Sequence, residues 1–102
     1  MRPRKITLTS ANTPYVFPVD YRPEKTTLQA TVAGTTSFTV EYTVEPVLDM
    51  ADPATHANWS AVDDMDGATA SVSKAIDASI TCLKFTHTSG DPVDIAISQP
   101  EM

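Results

Sequence analysis

The chain has 102 residues, of which 41% are hydrophobic and 20% are charged, and its formal net charge is −6. This length and composition are typical of one globular domain and exclude a disordered chain. No apolar run approaches the ~20 residues that a membrane-spanning helix needs. The stretch after the basic first residues is too short and too polar for a secretory signal.

Charge is distributed unevenly along the chain. The first 25 residues have a net charge of +3, and the remaining 77 have a net charge of −9. An acidic body argues against a nucleic-acid surface, because such surfaces neutralise phosphates. A basic segment on an acidic body suggests contact with an acidic protein surface, which includes a second copy of this chain. A solvated terminus is the alternative.

The first 25 residues are interpreted as an extended N-terminal arm, and residues 26–102 as a folded domain. Residues 5–9 are predicted to form a short strand, and the three prolines within residues 10–23 exclude a helix or a regular sheet interior. The aromatic side chains among these prolines pack either onto the domain itself or onto a neighbouring chain. The candidate interface residues of the arm are Arg2, Arg4, Lys5, Tyr15, Phe17, Tyr21 and Arg22.

Alternating apolar and polar residues predict two β-hairpins. Residues 26–32 and 36–45 form the first, with a turn around Gly34. Residues 80–99 form the second, with a turn at residues 89–92, where glycine accepts a positive φ and proline ends a ladder. The predicted inward-facing residues are Phe38, Val40, Tyr42, Val44, Leu83, Phe85, His87, Val93, Ile95 and Ile97.

The segment between the two hairpins gives weaker signals. Residues 50–56 hold at most one helical turn, residues 58–62 and 68–72 are predicted as short strands, and residues 73–79 as a linker. No 3.6-residue apolar period is sustained. About six to eight short strands indicate an all-β fold, which is a small antiparallel β-sandwich or jelly roll.

The sequence contains no recognisable catalytic constellation, and the chain is interpreted as a non-enzyme without a cofactor. Cys82 is the single cysteine and is assigned to the buried core. The alternation places Cys82 and His87 on opposite faces of one strand, which argues against a Cys–His pair.

Two binding sites remain open alternatives. The acidic turn that contains Asp63, Asp64 and Asp66 fails the EF-hand pattern at its first and twelfth positions, which leaves a looser calcium site or a solvated turn. An exposed aromatic ring on a strand can stack on a sugar, although a tryptophan more often anchors a sandwich core. The candidates for sugar stacking are Trp59, Tyr15 and Tyr21.

Three segments resemble small β-sandwich virion proteins of tailed bacteriophages. The first is a Phe-x-Val-x-x-Thr strand at residues 38–43, and the second is Trp-x-x-Val at residues 59–62. The third runs from Thr-Ser-Gly to Val-x-Ile-x-Ile-x-Gln over residues 88–99, and Lys84 is the basic residue of the central strand. The resemblance spans about residues 26–99.

The resemblance implies a non-enzymatic structural protein of the virion, made in the host cytoplasm and located on the capsid surface. Such a protein decorates or cements the head by bridging capsomers. Its implied partners are the major capsid protein and copies of itself, in a trimer or cluster. A tail, connector or fibre location and a glycan- or receptor-binding module are the alternatives.

Overall fold

The computed structural model describes residues 3–100, which form eight strands and three short helical turns. The strands are β1 (Arg4–Leu8), β2 (Tyr15–Pro18), β3 (Thr26–Val32), β4 (Thr36–Thr43), β5 (Ser60–Ala61), β6 (Val72–Ile76), β7 (Cys82–Gly90) and β8 (Val93–Ser98). The helical turns are the 3₁₀ helices Ser10–Asn12 and Val47–Asp49 and the α-helix α1 (Pro53–His56). None of these turns is long and apolar enough to cross a membrane.

The strands form two four-stranded antiparallel sheets. Sheet A has the order β1-β8-β3-β6, and sheet B has the order β2-β7-β4-β5. The side chains that alternate inward from both sheets form one shared core, so the predicted antiparallel β-sandwich is confirmed. Its largest fully buried side chains are Phe38, Phe85, Leu8, Leu28, Met65, Ile80, Leu83, Ile95 and Ile97.

At one end of the sandwich, every connection crosses from one sheet to the other. Because β1, β8, β3 and β6 occupy the same order in sheet A as β2, β7, β4 and β5 in sheet B, these connections lie side by side as β-arches. We name this the arch end; its connections are residues 9–14, 33–35, 62–71 and 91–92. The opposite end, which we name the groove end, carries residues 19–25, 44–59 and 77–81.

The two predicted hairpins are wrong in their pairing. β3 and β4 lie in different sheets, as do β7 and β8, and the observed pairs are β3 with β8 and β4 with β7. Alternation predicts which side chains face inward, and that pattern is the same for strands paired in one sheet and strands facing each other across a core. The predicted inward residues are buried or partly buried except Val44, which follows the end of β4 and is 61% exposed.

Residues 4–8 and 15–18 of the predicted arm belong to the sandwich. β1 pairs with β8 at one edge of sheet A, and β2 pairs with β7 at one edge of sheet B. Pro14 precedes β2 and Pro18 ends it, at an edge where a strand tolerates proline. The boundary predicted at residue 25 therefore does not divide the described structure into an arm and a domain.

The middle of the chain contains a strand that alternation did not predict. β6 pairs with β3 where a linker was expected. Residues 62–68 run along the edge of β4 without forming a regular strand: the Val62 N–H donates to the Val40 carbonyl at 2.9 Å, and Ala68 and Phe38 exchange two backbone hydrogen bonds. This irregular segment closes the core on that side by burying Met65.

Candidate functional site

An apolar groove with a volume of about 330 Å³ lies at the groove end. Two of its side chains are strongly exposed, Leu48 at 86% and Tyr21 at 65%. These exposed apolar side chains beside a groove make this end of the sandwich the candidate site of contact with a partner. The groove is lined by Pro18, Val19, Tyr21, Pro46, Val47, Leu48, Asp49 and Thr81.

One wall of the groove is the connection between β2 and β3. The Val19 N–H donates to the Thr81 carbonyl at 3.1 Å. The Gln99 side chain is buried; its Nε2 donates to the Asp20 carbonyl at 2.9 Å, and its Oε1 accepts the Asp20 N–H at 3.2 Å. Because these bonds join the wall to β7 and β8, Tyr21 is presented on a fixed backbone.

The second wall is the connection between β4 and β5. The Glu45 carboxylate accepts the backbone N–H of Asn58 at 3.0 Å and its side-chain amide at 2.8 Å. These two hydrogen bonds favour the charged form and lower the pKa of Glu45 below its usual value. The Trp59 indole also donates to the Pro53 carbonyl at 3.0 Å. Both ends of the connection are thereby tied together, and Leu48 projects from a preformed loop.

The floor of the groove is Val47, which packs with Ala57 and Cys82 on the outer face of sheet B. Cys82 is a free and buried cysteine, so its predicted place in the interior is confirmed. Burial raises the pKa of the Cys82 thiol to about 11. The thiol therefore stays protonated at neutral pH and supplies no reactive thiolate.

Two of the predicted interface residues, Tyr21 and Arg22, lie at the groove end. The Arg22 guanidinium donates to the Asp20 carboxylate, with 2.7 Å between Nη2 and Oδ2. This hydrogen bond and that from the Arg22 N–H lower the pKa of Asp20 to about 2. The pair is solvent-exposed, so it orients the loop beside Tyr21 and contributes little to stability.

The other described candidates lie at the edge formed by β1 and β2. Tyr15 and Phe17 stack with 6.4 Å between ring centroids and pack, partly buried, against the chain's own core. The Arg4 guanidinium lies 5.9 Å from the Phe17 ring centroid, and the Lys5 Nζ lies 3.8 Å from Asp94. Of the two alternatives for the aromatic side chains, intrachain packing is therefore observed for Tyr15 and Phe17. Arg2 lies outside the described residues.

His87 lies at the arch end and is only 4% exposed. Its Nε2 is 2.9 Å from the Asp91 carbonyl oxygen, so Nε2–H donates to that oxygen, and its Nδ1 is 2.9 Å from the Ser10 hydroxyl oxygen. Thr36 Oγ1 lies 3.2 Å from Nε2. These contacts tie three arches together, and they are separate from the groove-floor cluster that contains Cys82.

Trp59 and the acidic turn do not form the sites that the sequence left open, whereas Tyr21, the remaining candidate for sugar stacking, is 65% exposed. Trp59 is partly buried, and the Lys84 ammonium lies 5.0 Å from its ring centroid, where a sugar would stack. In the acidic turn, Asp64 forms an ion pair with Lys74 at 2.8 Å, which raises the pKa of Lys74. Across residues 3–100, no three His, Cys, Asp or Glu side chains are grouped so as to hold a metal ion.

Most of the groove was not predicted from the sequence. Of its lining residues only Tyr21 was a candidate, while Leu48 and its neighbours were assigned to a connection. The available signal was an apolar Val-Leu pair directly after Pro46, in a segment with no strand alternation to bury both side chains.

A comparison with protein-family models, curated proteins and solved structures finds no match to this chain.

Proposed function

We propose that the chain is a non-enzymatic structural protein of a phage virion, which decorates the capsid and binds the major capsid protein through its groove end. The resemblance of residues 38–43, 59–62 and 88–99 to such proteins supports the virion assignment. The observation that carries the binding surface is the groove, where Leu48 is 86% exposed beside Tyr21 on two anchored loops.

The energetics of the groove suit a repeated contact of modest strength. Full burial of a leucine side chain contributes about 1.5–3 kcal/mol, and Leu48 and Tyr21 are the most exposed large apolar side chains of the groove. The walls are held by hydrogen bonds before any partner arrives, so binding orders few additional groups. A capsid presents many equivalent sites, and symmetry multiplies a modest contact into a stable shell.

Co-sedimentation with capsids tests this proposal. Heads of the phage that encodes the chain, assembled without it, are incubated with the purified protein in expanded and unexpanded forms. We expect saturable binding to the heads. Absence of binding to either form, together with saturable binding to purified tails, would replace capsid decoration by the tail alternative, and absence of both would overturn the virion proposal.

A matched pair of variants locates the binding surface. Leu48→Lys places a charge in the groove, whereas Thr88→Lys places the same charge at an exposed position of the arch end. We expect Leu48→Lys to weaken binding at least about tenfold, or about 1.4 kcal/mol, and Thr88→Lys to leave it unchanged. Equal binding by both variants would show that the groove is not the contact surface.

Deletion of the N-terminal segment is not a suitable test of this surface. Removing residues 1–23 would remove β1 and β2, which form one edge of each sheet. The deletion would expose the core, so loss of binding would report unfolding instead of a lost contact.

A further inference from the structure

We infer that the two opposite edges of the sandwich bind one another in successive copies of the chain, so that β1 of one copy pairs with β6 of the next. This inference concerns self-association and does not rest on the proposed capsid function. The partner is a second copy of this chain, and the contact is head to tail. Four properties of the two edges support it.

The first property is strand direction. β1 and β6 are the edge strands of sheet A, and each has five residues. β8 is antiparallel to both β1 and β3, and β6 is antiparallel to β3, so β6 runs antiparallel to β1. A second copy placed beside the first in the same orientation therefore continues sheet A with a regular antiparallel pair.

The second property is charge. The β1 edge carries Arg4 and Lys5, both exposed, against Asp94 of the adjacent β8, which lies 3.8 Å from the Lys5 Nζ. The opposite edge carries four exposed aspartates against the single lysine of β6, Lys74. Opposite charges on the two contacting edges steer association and reject a contact between like edges. The aspartates of this acidic edge are Asp63, Asp64, Asp66 and Asp77.

The third property is shape. Between β5 and β6 the sandwich has a hollow of about 280 Å³, whose lining includes the apolar residues Tyr42, Val62 and Ile76 and the charged residues Asp63, Lys74 and Asp77. At the opposite edge of the sandwich, Phe17 and Tyr15 of β2 are only partly buried. Continuation of both sheets brings these aromatic side chains of one copy toward the hollow of the next, and burial of an aromatic ring is a large favourable contribution.

The fourth property is the inward-facing lysine on the β6 edge. Lys74 lies at an inward position of this strand and pairs with Asp64 at 2.8 Å. An inward lysine protects an edge from pairing with an arbitrary strand. Because Asp64 neutralises Lys74, the edge still accepts a partner that brings positive charge to the other aspartates. A head-to-tail contact of this type closes into a ring or extends as a filament, depending on the rotation between copies.

Charge reversal at each edge tests the inference. The variant Arg4→Glu/Lys5→Glu alters the β1 edge and the variant Asp63→Lys/Asp77→Lys alters the acidic edge, while the Asp64–Lys74 pair is kept. Sedimentation velocity at low ionic strength is measured for each protein alone and for an equimolar mixture. We expect the unsubstituted chain to associate with rising concentration, each variant alone to lose at least about tenfold in affinity, and the equimolar mixture to regain association.

The mixture distinguishes the head-to-tail contact from a symmetric one. Each variant retains one native edge, so a basic native edge meets an acidic native edge only when the two variants are combined. A monomeric unsubstituted chain at all concentrations, or a mixture that stays monomeric while the unsubstituted chain associates, would overturn the inference. Lys25→Glu is the control, because it reverses an exposed charge at the groove end; an equal loss of association in this variant would also overturn it.

A second measurement does not depend on the folding of any variant. Hydrogen exchange of the unsubstituted chain is compared at low and high protein concentration. We expect slower exchange at the amides of β1 and β6 at high concentration, with β3 and β8 unchanged because they are already paired on both sides. Neither test uses phage heads, so failure of this inference leaves the capsid proposal standing, and the reverse also holds.

Discussion

The two ends of the sandwich differ in their side chains: the arch end holds polar contacts around a buried histidine, and the groove end exposes apolar side chains. At the arch end, polar contacts from Ser10, Thr36 and Asp91 converge on the buried His87. At the groove end, the connections expose Tyr21, Val44 and Leu48. Polar groups that are buried and satisfied fix one geometry, whereas exposed apolar groups are the surface available to the proposed partner.

This difference indicates where sequence change is tolerated. A substitution at the arch end alters contacts between strands of both sheets and is expected to affect folding. A substitution of an exposed groove side chain is expected to affect binding and leave folding unchanged. The following predictions test that division, from the largest expected effect on stability to the smallest.

The largest effect is expected for Gly90→Ala at the arch end. Gly90 has a φ of +90°, and a Cβ atom there would lie 2.1 Å from the Thr35 carbonyl oxygen. Left-handed backbone costs a non-glycine residue about 1–2 kcal/mol, and overpacking adds about 1–3 kcal/mol. We expect urea denaturation to show a loss of about 2–5 kcal/mol in the free energy of unfolding.

Gly67→Ala is the matched control for this variant. Gly67 also has a positive φ, of +67°, but no atom lies within 4 Å of the position its Cβ would take. We expect a loss of only about 1–2 kcal/mol, from the backbone conformation alone. Similar losses in the two variants would show that the close approach between the arches at Thr35 does not exist in solution.

The second prediction concerns His87→Ala. The substitution removes the hydrogen bonds to Ser10 and to the Asp91 carbonyl, and it leaves a cavity in the arch end. We expect a loss of about 2–4 kcal/mol. His56→Ala is the control, since His56 is exposed at the end of α1, and we expect a change within about 0.5 kcal/mol. A loss below 1 kcal/mol for His87→Ala would contradict the role of this side chain in joining the arches.

The sequence predicts the faces of the strands better than it predicts their neighbours. Leu83, Phe85, Ile95 and Ile97 were expected to face one core, and all are fully buried. The pairing of their strands was not predicted. The same alternation results whether residues 91–92 form a hairpin turn within one sheet or an arch between two sheets. The contacts that distinguish the two are long-range, and they come from residues such as Ser10 and Thr36.

Weak local signals account for the remaining differences. β6 contains Ser73 and Lys74 between Val72 and Ile76, so its apolar alternation is too sparse to separate a strand from a linker. The groove was missed for a related reason. The Val47-Leu48 pair after Pro46 indicates that one of the two apolar side chains is exposed, but only the fold shows that Val47 takes the buried place.

The third prediction concerns the cluster beneath the groove and its dependence on pH. Burial raises the pKa of the Cys82 thiol from 9.0 to about 11. Between these values the unfolded chain loses the thiol proton while the folded chain keeps it, so stability is complete below pH 9.0 and falls as the pH rises toward 11. The slope due to this group is at most about 1.4 kcal/mol per pH unit.

Comparison with Cys82→Ala isolates that slope from the titration of lysines and tyrosines. Urea denaturation of both proteins is measured at several pH values from about 8 to about 11. We expect the unsubstituted chain to lose stability more steeply than Cys82→Ala over this interval. Parallel curves would show that the thiol ionises equally well in the folded protein, and that the cluster under the groove is open to water.

The smallest effect is expected at the groove itself, and neighbouring residues provide the comparison. Leu48 is 86% exposed and Val47 is 5% exposed, within the same 3₁₀ helix. We expect Leu48→Ser to change the free energy of unfolding by less than about 0.5 kcal/mol, because its side chain is already in water. Val47→Ala removes buried methyl groups from the cluster with Ala57 and Cys82, and we expect a loss of about 1–3 kcal/mol.

Denaturation of the two variants in parallel decides whether the groove is open in the isolated chain. If Leu48→Ser lost as much stability as Val47→Ala, the Leu48 side chain would be buried in solution, and the groove would be part of the core instead of a binding surface. If Leu48→Ser kept full stability while its binding to heads fell, folding and binding would be separable at adjacent residues. A loss of binding without a loss of stability is the result expected if the groove end binds a partner and the arch end stabilises the fold.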